Sequence, residues 1–326
     1  MTTRRRLAVA ALLLLGGAPA APVRAQSARP APLRVRTPDG RWHAWWQADR
    51  APARWPAADA RVAAAVQWRA VAPGLETAEL EVATPGEAGI AALGRMRLVL
   101  ARIDPARHAL RLVAGSPPGA PWKVDDAPGD ARLALNAGQF TDDGPWGWLV
   151  HGGRELQAPA TGPLSSALVV ARDGAVRLAD AAELTAVRTG VARGEIAEAV
   201  QSYPTLLAGD GAVPAPLLAD GRGLDREHRD ARLAVGTLRD GRVLVVLTRL
   251  DAPGVMARVP LGLTVPEMAA VTGALGASRA MLLDGGLSAQ LLVRDARGDA
   301  QRWPGLRHVP VGLVATPRVS EVAARR

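Results

Sequence analysis

The sequence predicts an α+β fold: a mixed, largely antiparallel β-sheet with packed helices in a single domain. Three observations predict it. Short apolar runs rich in β-branched residues recur from Arg97 onward, Asp-Gly pairs stand between neighbouring runs, and a segment with helical spacing near the C-terminus leads straight into another strand-like run.

Taken in order, residues 97–103, 109–114, 132–136, 166–171, 232–238 and 242–248 have the length and composition of strands. Asp173-Gly174 and Asp240-Gly241 each separate two such runs by two residues, a strong local hairpin signal. Pro266 and Glu267 suit the first turn of a helix, Met268, Val271 and Leu275 recur at helical spacing, and Gly276 suits its stop. A strand over Ala280 to Leu283 follows and delivers Asp284 at its end. Strand pairs that meander, joined by one or two helical crossovers, define the α+β class.

The first 25 residues have the order of a secretory signal peptide. Arg4, Arg5 and Arg6 precede an apolar run from Leu7 to Leu15 and then small residues, with Val23-Arg24-Ala25 as the favoured cleavage site and Ala18-Pro19-Ala20 as the alternative. Nine apolar residues are too few to span a bilayer. The leader also matches a twin-arginine pattern, so Sec and twin-arginine export both stay open, with a soluble periplasmic or secreted product. Residues 26–67 form an N-terminal extension rich in proline and tryptophan, with Trp42, Trp45, Trp46 and Trp55 either packing on the core or offering a stacking platform for a sugar. Residues 68–316 form the catalytic domain and residues 317–326 a C-terminal tail.

Composition excludes several chemistries. The formal charge of +9 falls by four, to +5, once Arg4, Arg5, Arg6 and Arg24 leave with the signal peptide, and the remaining arginines are interleaved with acids. With aromatic residues at only 3%, the basic and aromatic stripe of a nucleic-acid surface is missing, so no nucleic-acid partner is expected. Without cysteine there is no disulfide, thiolate metal site or lipid attachment. Lys123 is the one lysine, and its Pro-Trp-Lys-Val-Asp context fits neither a phosphate-binding loop nor a lysine-dependent nucleophile. The five histidines are isolated, so no metal ligand set and no cofactor is predicted. A divalent cation held by Asp142, Asp143 or Asp284 stays open.

Two strings carry the strongest signal: Leu135-Asn136-Ala137-Gly138-Gln139-Phe140, and Leu282-Leu283-Asp284-Gly285-Gly286-Leu287-Ser288. In each, an apolar run ends in a polar residue followed by glycine, as when a strand empties into a tight loop where backbone approaches a ligand. Between them lie Gly147-Trp-Leu-Val-His151-Gly-Gly153, Gln201-Ser202-Tyr203-Pro204-Thr205-Leu206-Leu207 and Arg232-Leu-Ala-Val-Gly236. In that order and spacing, over roughly residues 68–316, the blocks resemble the phosphodiester glycosidase family, relatives of the enzyme that removes N-acetylglucosamine from a phosphodiester to uncover mannose 6-phosphate. Leu282 stands where that family usually has asparagine, and Leu287 where it has a third glycine.

The residues themselves leave two readings at each position. Asp284 is a carboxylate for nucleophile or base work, or an inert Asp-Gly turn. Asn136 is an amide for a sugar hydroxyl or phosphate oxygen, or a turn residue. Phe140 and Tyr203, the only phenylalanine and the only tyrosine, are rings beside a sugar face or core packing. Arg232 is a bidentate phosphate clamp or a surface ion pair. His151 donates to phosphate or protonates a leaving oxygen, or is an ordinary loop histidine. Gln201 and Ser202 add hydrogen bonds to the ligand, while Gly138, Gly285 and Gly286 let backbone close on it. Ser288 lacks the final glycine of a nucleophile elbow, so it is assigned to binding. His228, in a charged loop, is left out of the site.

The resemblance implies hydrolysis of a sugar 1-phosphodiester at the anomeric carbon, with Asp284 and His151 catalytic and Asn136, Arg232 and the flanking loop residues holding a glycan or sugar-phosphodiester substrate. The rival readings are a non-catalytic sugar-phosphate or polysaccharide-binding envelope protein, and a phosphodiesterase that cuts the other ester bond.

Overall fold

The computed structural model describes residues 32–84, 94–115, 120–162, 164–218, 224 and 226–318. The expected signal peptide with its cleavage sites, and most of the C-terminal tail, lie outside the described residues. Strand outweighs helix, 43% to 17%, so the architecture is sheet-dominated with few helices.

Nine strands build the largest sheet. They are ordered Thr205–Leu207, Ala277–Leu282, Leu233–Leu238, Val243–Leu250, Arg95–Ile103, Leu75–Ala83, Leu33–Arg36 and Trp42–Trp46, with Arg69–Ala72 paired on Leu75–Ala83. A second sheet has the order Arg154–Gln157, Leu149–His151, Ile196–Ser202, Ser166–Ala171, Val176–Asp180. A third has the order Ala300–Trp303, Leu291–Arg294, Leu133–Asn136, Val311–Pro317, His108–Ala114. Every pairing among the described residues is antiparallel, so the parallel part of the mixed sheet that the sequence predicts has no counterpart there. The helical crossover does exist. Val243–Leu250 and Ala277–Leu282 flank Leu233–Leu238 on opposite sides, and helix Val265–Ala274 joins them.

Period-2 alternation explains the layering. In Val243–Leu250, all of it buried, Val243, Val245 and Leu247 face a core shared with both smaller sheets, while Leu244, Val246 and Leu250 face the helices. Such a strand reads as one continuous apolar run because it is covered on both sides. Helix Leu184–Ala192 seals the outer face of the second sheet through Leu184 and Val187, and Trp122 with Val124 and Val309 seals that of the third.

Helix Val265–Ala274 starts in a capping box: Thr264 Oγ1 accepts from Glu267 N at 3.3 Å and Glu267 accepts from Thr264 N at 2.9 Å. Arg229 locks the same glutamate with two hydrogen bonds of 2.7 Å, tying the 226–232 segment to the helix start. The Asp-Gly hairpins carry three-residue loops rather than the two-residue turns predicted. Ala171 pairs with Ala175 around Arg172-Asp173-Gly174, and Leu238 with Arg242 around Arg239-Asp240-Gly241, each glycine at positive φ. A turn closed by a left-handed glycine is the next commonest hairpin solution. In the Trp-rich extension, Leu33–Arg36 and Trp42–Trp46 extend the edge of the large sheet. Trp46 and Trp55 are buried in its helix-side core, and Trp45 packs 6.0 Å from Trp55.

Candidate functional site

The motif loops meet because of the register of the large sheet. Ala234 pairs with Leu282 and Thr205 with Met281, so residues preceding Leu233, preceding Thr205 and following Leu282 all emerge at one sheet edge. There they enclose a cavity of about 300 Å³ walled by Gln139, Tyr203, Pro204, Leu224, His228, Asp230, Arg232, Val265 and the Leu282–Gly285 stretch.

Asp284 is stitched into place from several sides. Its N–H donates to Gly138 O at 3.1 Å, its carbonyl accepts from Asn136 Nδ2 at 2.8 Å, and its carboxylate takes hydrogen bonds from Ser288 and the Gly285 N–H. Asn136, completely buried, uses its other end to accept from Gln290 N at 3.0 Å, so it spans the whole Asp284 loop. It therefore positions the loop, and its amide is committed to backbone rather than aimed at a ligand. Replacing it by leucine orphans a buried carbonyl and a buried N–H at once. Asn136→Leu is expected to cost about 3 kcal/mol, at one to three per unsatisfied buried group, measured by urea unfolding, and to cut turnover in the folded fraction.

Two glycines permit the close approach. A Cβ on Gly285 would sit 2.5 Å from Ala231 O, and one on Gly286, whose φ is +57°, would sit 3.1 Å from Asp230 Oδ2. The Asp230 carboxylate thus lies directly against the Asp284 loop. Asp230 and Asp284 are the paired acids of the cavity, and the charge of Asp230 raises the affinity of Asp284 for its proton.

Burial is the largest influence on both. It pushes the Asp284 carboxyl above the usual carboxylate range, Asp230 adds to the rise, and Ser288, Arg307 and the Gly285 N–H oppose it. Burial also raises Asp230, against Arg232, the Ala231 N–H and His228. His228 Nε2 stands 3.8 Å from Asp230 Oδ2. Arg232 is oriented by its own donors, Nε to Leu263 O at 3.1 Å and Nη2 to His228 O at 2.8 Å. The Tyr203 hydroxyl, also half-buried, is raised by desolvation.

Other predicted residues lie elsewhere or serve other ends. His151 does not line the cavity: it ends a strand of the second sheet, is mostly exposed and sits 3.0 Å from the buried Glu198 carboxylate. Five residue steps along an extended chain separate Glu198 from Tyr203, roughly 16 Å at about 3.3 Å per step. The phrase Val-His-Gly-Gly suggests a ligand loop, but antiparallel register carries it to the far end of its sheet. Gln201 is buried, with Oε1 accepting from Trp148 N at 2.8 Å and Ala160 N at 2.9 Å, so it braces a loop instead of meeting a ligand. Ser202 is buried opposite Ser166. Phe140 packs against the third sheet's outer core, with the Arg307 guanidinium 4.8 Å from its ring centre. Asp142 and Asp143 are exposed in the turn between the short paired strands Phe140–Thr141 and Gly144–Pro145, and among the described residues no three His, Asp or Glu side chains gather to hold a metal ion.

Asp230, His228 and Gln139 are the residues that sequence reasoning missed. A signal existed: His228, Asp230 and Arg232 are spaced by two, the period that puts side chains on one side of an extended chain. It was masked by the charged run Arg226 to Arg232, which reads as solvated surface.

The family model described as phosphodiester glycosidase matches residues 129–316, which include Asn136, Asp230, Arg232 and Asp284. The chain belongs to the phosphodiester glycosidase family. Among solved structures, the chain resembles the zebrafish N-acetylglucosamine-1-phosphodiester alpha-N-acetylglucosaminidase catalytic domain, auto-inhibited by its pro-peptide. That likeness has a TM-score of 0.57 and 14% identity and covers 78% of this chain and 88% of that one, so the two share a fold. A hypothetical protein from Synechocystis is also similar, with a TM-score of 0.49, 15% identity, and coverage of 78% of this chain and 64% of that one. No curated protein matches the chain. Among the described residues no helix is long and apolar enough to cross a membrane.

Proposed function

We propose that the protein is an exported hydrolase that cleaves a sugar 1-phosphodiester at the anomeric carbon, acting on a cell-envelope or extracellular glycan. The observation that carries this reading is the pairing of Asp284 and Asp230 in one cavity with Arg232. The charge of Asp230 raises the proton affinity of Asp284 and burial raises both carboxyls, an environment in which one acid can hold the proton while the other is ionised. With substrate bound the proton moves to Asp230, and the Asp284 carboxylate, which accepts from Ser288 and the Gly285 N–H, attacks the anomeric carbon or activates water toward it. Asp230 stands beside Arg232, which binds the phosphate, and the arriving negative charge favours its protonated form. It then donates to the bridging oxygen as the bond from the anomeric carbon breaks. Water supplies the hydroxyl of the free sugar and the phosphorylated alcohol departs. Tyr203, Pro204 and Leu282 give the sugar an apolar wall.

Hydrolysis of a UDP-sugar or methyl-phosphoryl glycoside in ¹⁸O-water tests this. The label is expected in the sugar hydroxyl and absent from the phosphate. Label in the phosphate would establish the phosphodiesterase reading, and no hydrolysis of any diester the binding-protein reading.

A further inference from the structure

A second cavity, of about 540 Å³, lies between the Asp251–Arg258 segment and the Arg302–Pro304 stretch. Its base holds Arg249, which is 7% exposed. A single nitrogen of that guanidinium, Nη2, donates to three carbonyls, Ala289 O at 3.0 Å, Trp303 O at 2.8 Å and Pro304 O at 3.1 Å. Its buried Nε–H has no partner, and no described residue accepts from Nη1.

Among the described residues no carboxylate pairs with this charge. The two acids in the cavity wall are engaged by Arg97, which reaches Asp251 Oδ1 at 2.9 Å and Glu79 Oε2 at 3.0 Å. Two further cations, Arg258 and Arg302, flank the space, and Arg258 has no ion pair among the described residues. Burial, with the Arg258 charge added, pulls the Arg249 guanidinium down to about 10. A buried cation without a counter-charge is costly to keep unless something negative binds beside it. Guanidinium groups match tetrahedral oxyanions through paired N–H donors, and Trp303, Pro253 and Pro304 supply apolar surface beside them.

We propose that this cavity is an anion site taking a phosphate or phosphodiester group, with Arg249 at its base and Arg258 at its rim. It is separate from the Asp284 cavity and does not depend on the reaction assigned there. The space exceeds what one phosphate needs, so either the free ion or a further phosphodiester unit of an extended chain can fill it.

Calorimetric titration with inorganic phosphate at fixed ionic strength tests the site in an Arg232→Gln background, which removes the cation of the catalytic cavity. Saturable one-to-one binding is expected to persist there and to weaken at least tenfold on adding Arg258→Glu, an exposed substitution that spares folding. Arg249→Met should abolish it, with circular dichroism confirming the fold. A short glycerol-phosphodiester oligomer binding more tightly than phosphate identifies the chain as occupant, and equal affinity identifies the free ion. Absence of saturable binding in Arg232→Gln, or binding unaffected by Arg258→Glu, overturns the proposal.

Discussion

Asp284→Asn is expected to remove turnover of a sugar 1-phosphodiester on the order of 10³-fold while raising the melting temperature at neutral pH. Asparagine keeps the shape and can still meet Ser288 and the Gly285 N–H, but it cannot attack or take a proton. The stability gain follows from the same environment. Burial raises the carboxyl's proton affinity in the folded chain, so the contribution of this group to stability is fully present below the unfolded-state pKa, near 3.9. It is lost as pH rises through the folded value. The amide does not ionise and escapes that loss. Melting temperatures compared across pH should therefore favour the variant at neutral pH and converge with the wild type below about pH 4. A variant less stable than wild type at pH 7 would mean that the carboxylate is held by compensating partners.

Asp230→Asn is expected to reduce turnover roughly 10²-fold, the usual scale for losing a positioned proton donor. The loss should depend on the leaving group. A phosphomonoester departs as a weak base, so a UDP-sugar should suffer less than a substrate whose departing phosphate is more basic. The decline of kcat/KM at high pH, where the acid of the pair would ionise, should flatten. An equal loss for every leaving group, with an unchanged profile, would make Asp230 a structural acid. Its stability response has the same sign as that of Asp284, because burial raises it too.

The loops of the site were legible in the sequence, while the duties of individual side chains were less so. Leu135 to Phe140 and Leu282 to Ser288 read correctly as strands emptying into loops, because apolar runs that end in a polar residue and glycine have few other solutions. Asn136 and Gln201 look alike at that level, yet both spend their amides on backbone, since a buried loop end must satisfy its own N–H and carbonyl groups before it meets a ligand. His151 was misplaced because direction depends on pairing: Leu149–His151 runs antiparallel to Ile196–Ser202, so its glycine-flanked end points away from Tyr203. Asp230 was hidden for the opposite reason. Its neighbours Arg229 and Glu227 gave the segment a surface character, but Arg229 is tied to Glu267 at the helix start, and that anchor holds Asp230 against Gly286. Helix Val265–Ala274 and its stop at Gly276 followed from local capping chemistry, which needs no knowledge of pairing.

In the proposed reaction Asp230 and Asp284 act as one pair, so their contributions to turnover are coupled. A double-mutant cycle on kcat/KM for one diester substrate, with Asp230→Asn, Asp284→Asn and the combined variant, tests this coupling most directly. Groups that act as a unit are not additive, so the combined variant is expected to lose little more than Asp284→Asn alone. Losses that multiply, or an Asp230→Asn enzyme with wild-type turnover, would contradict it.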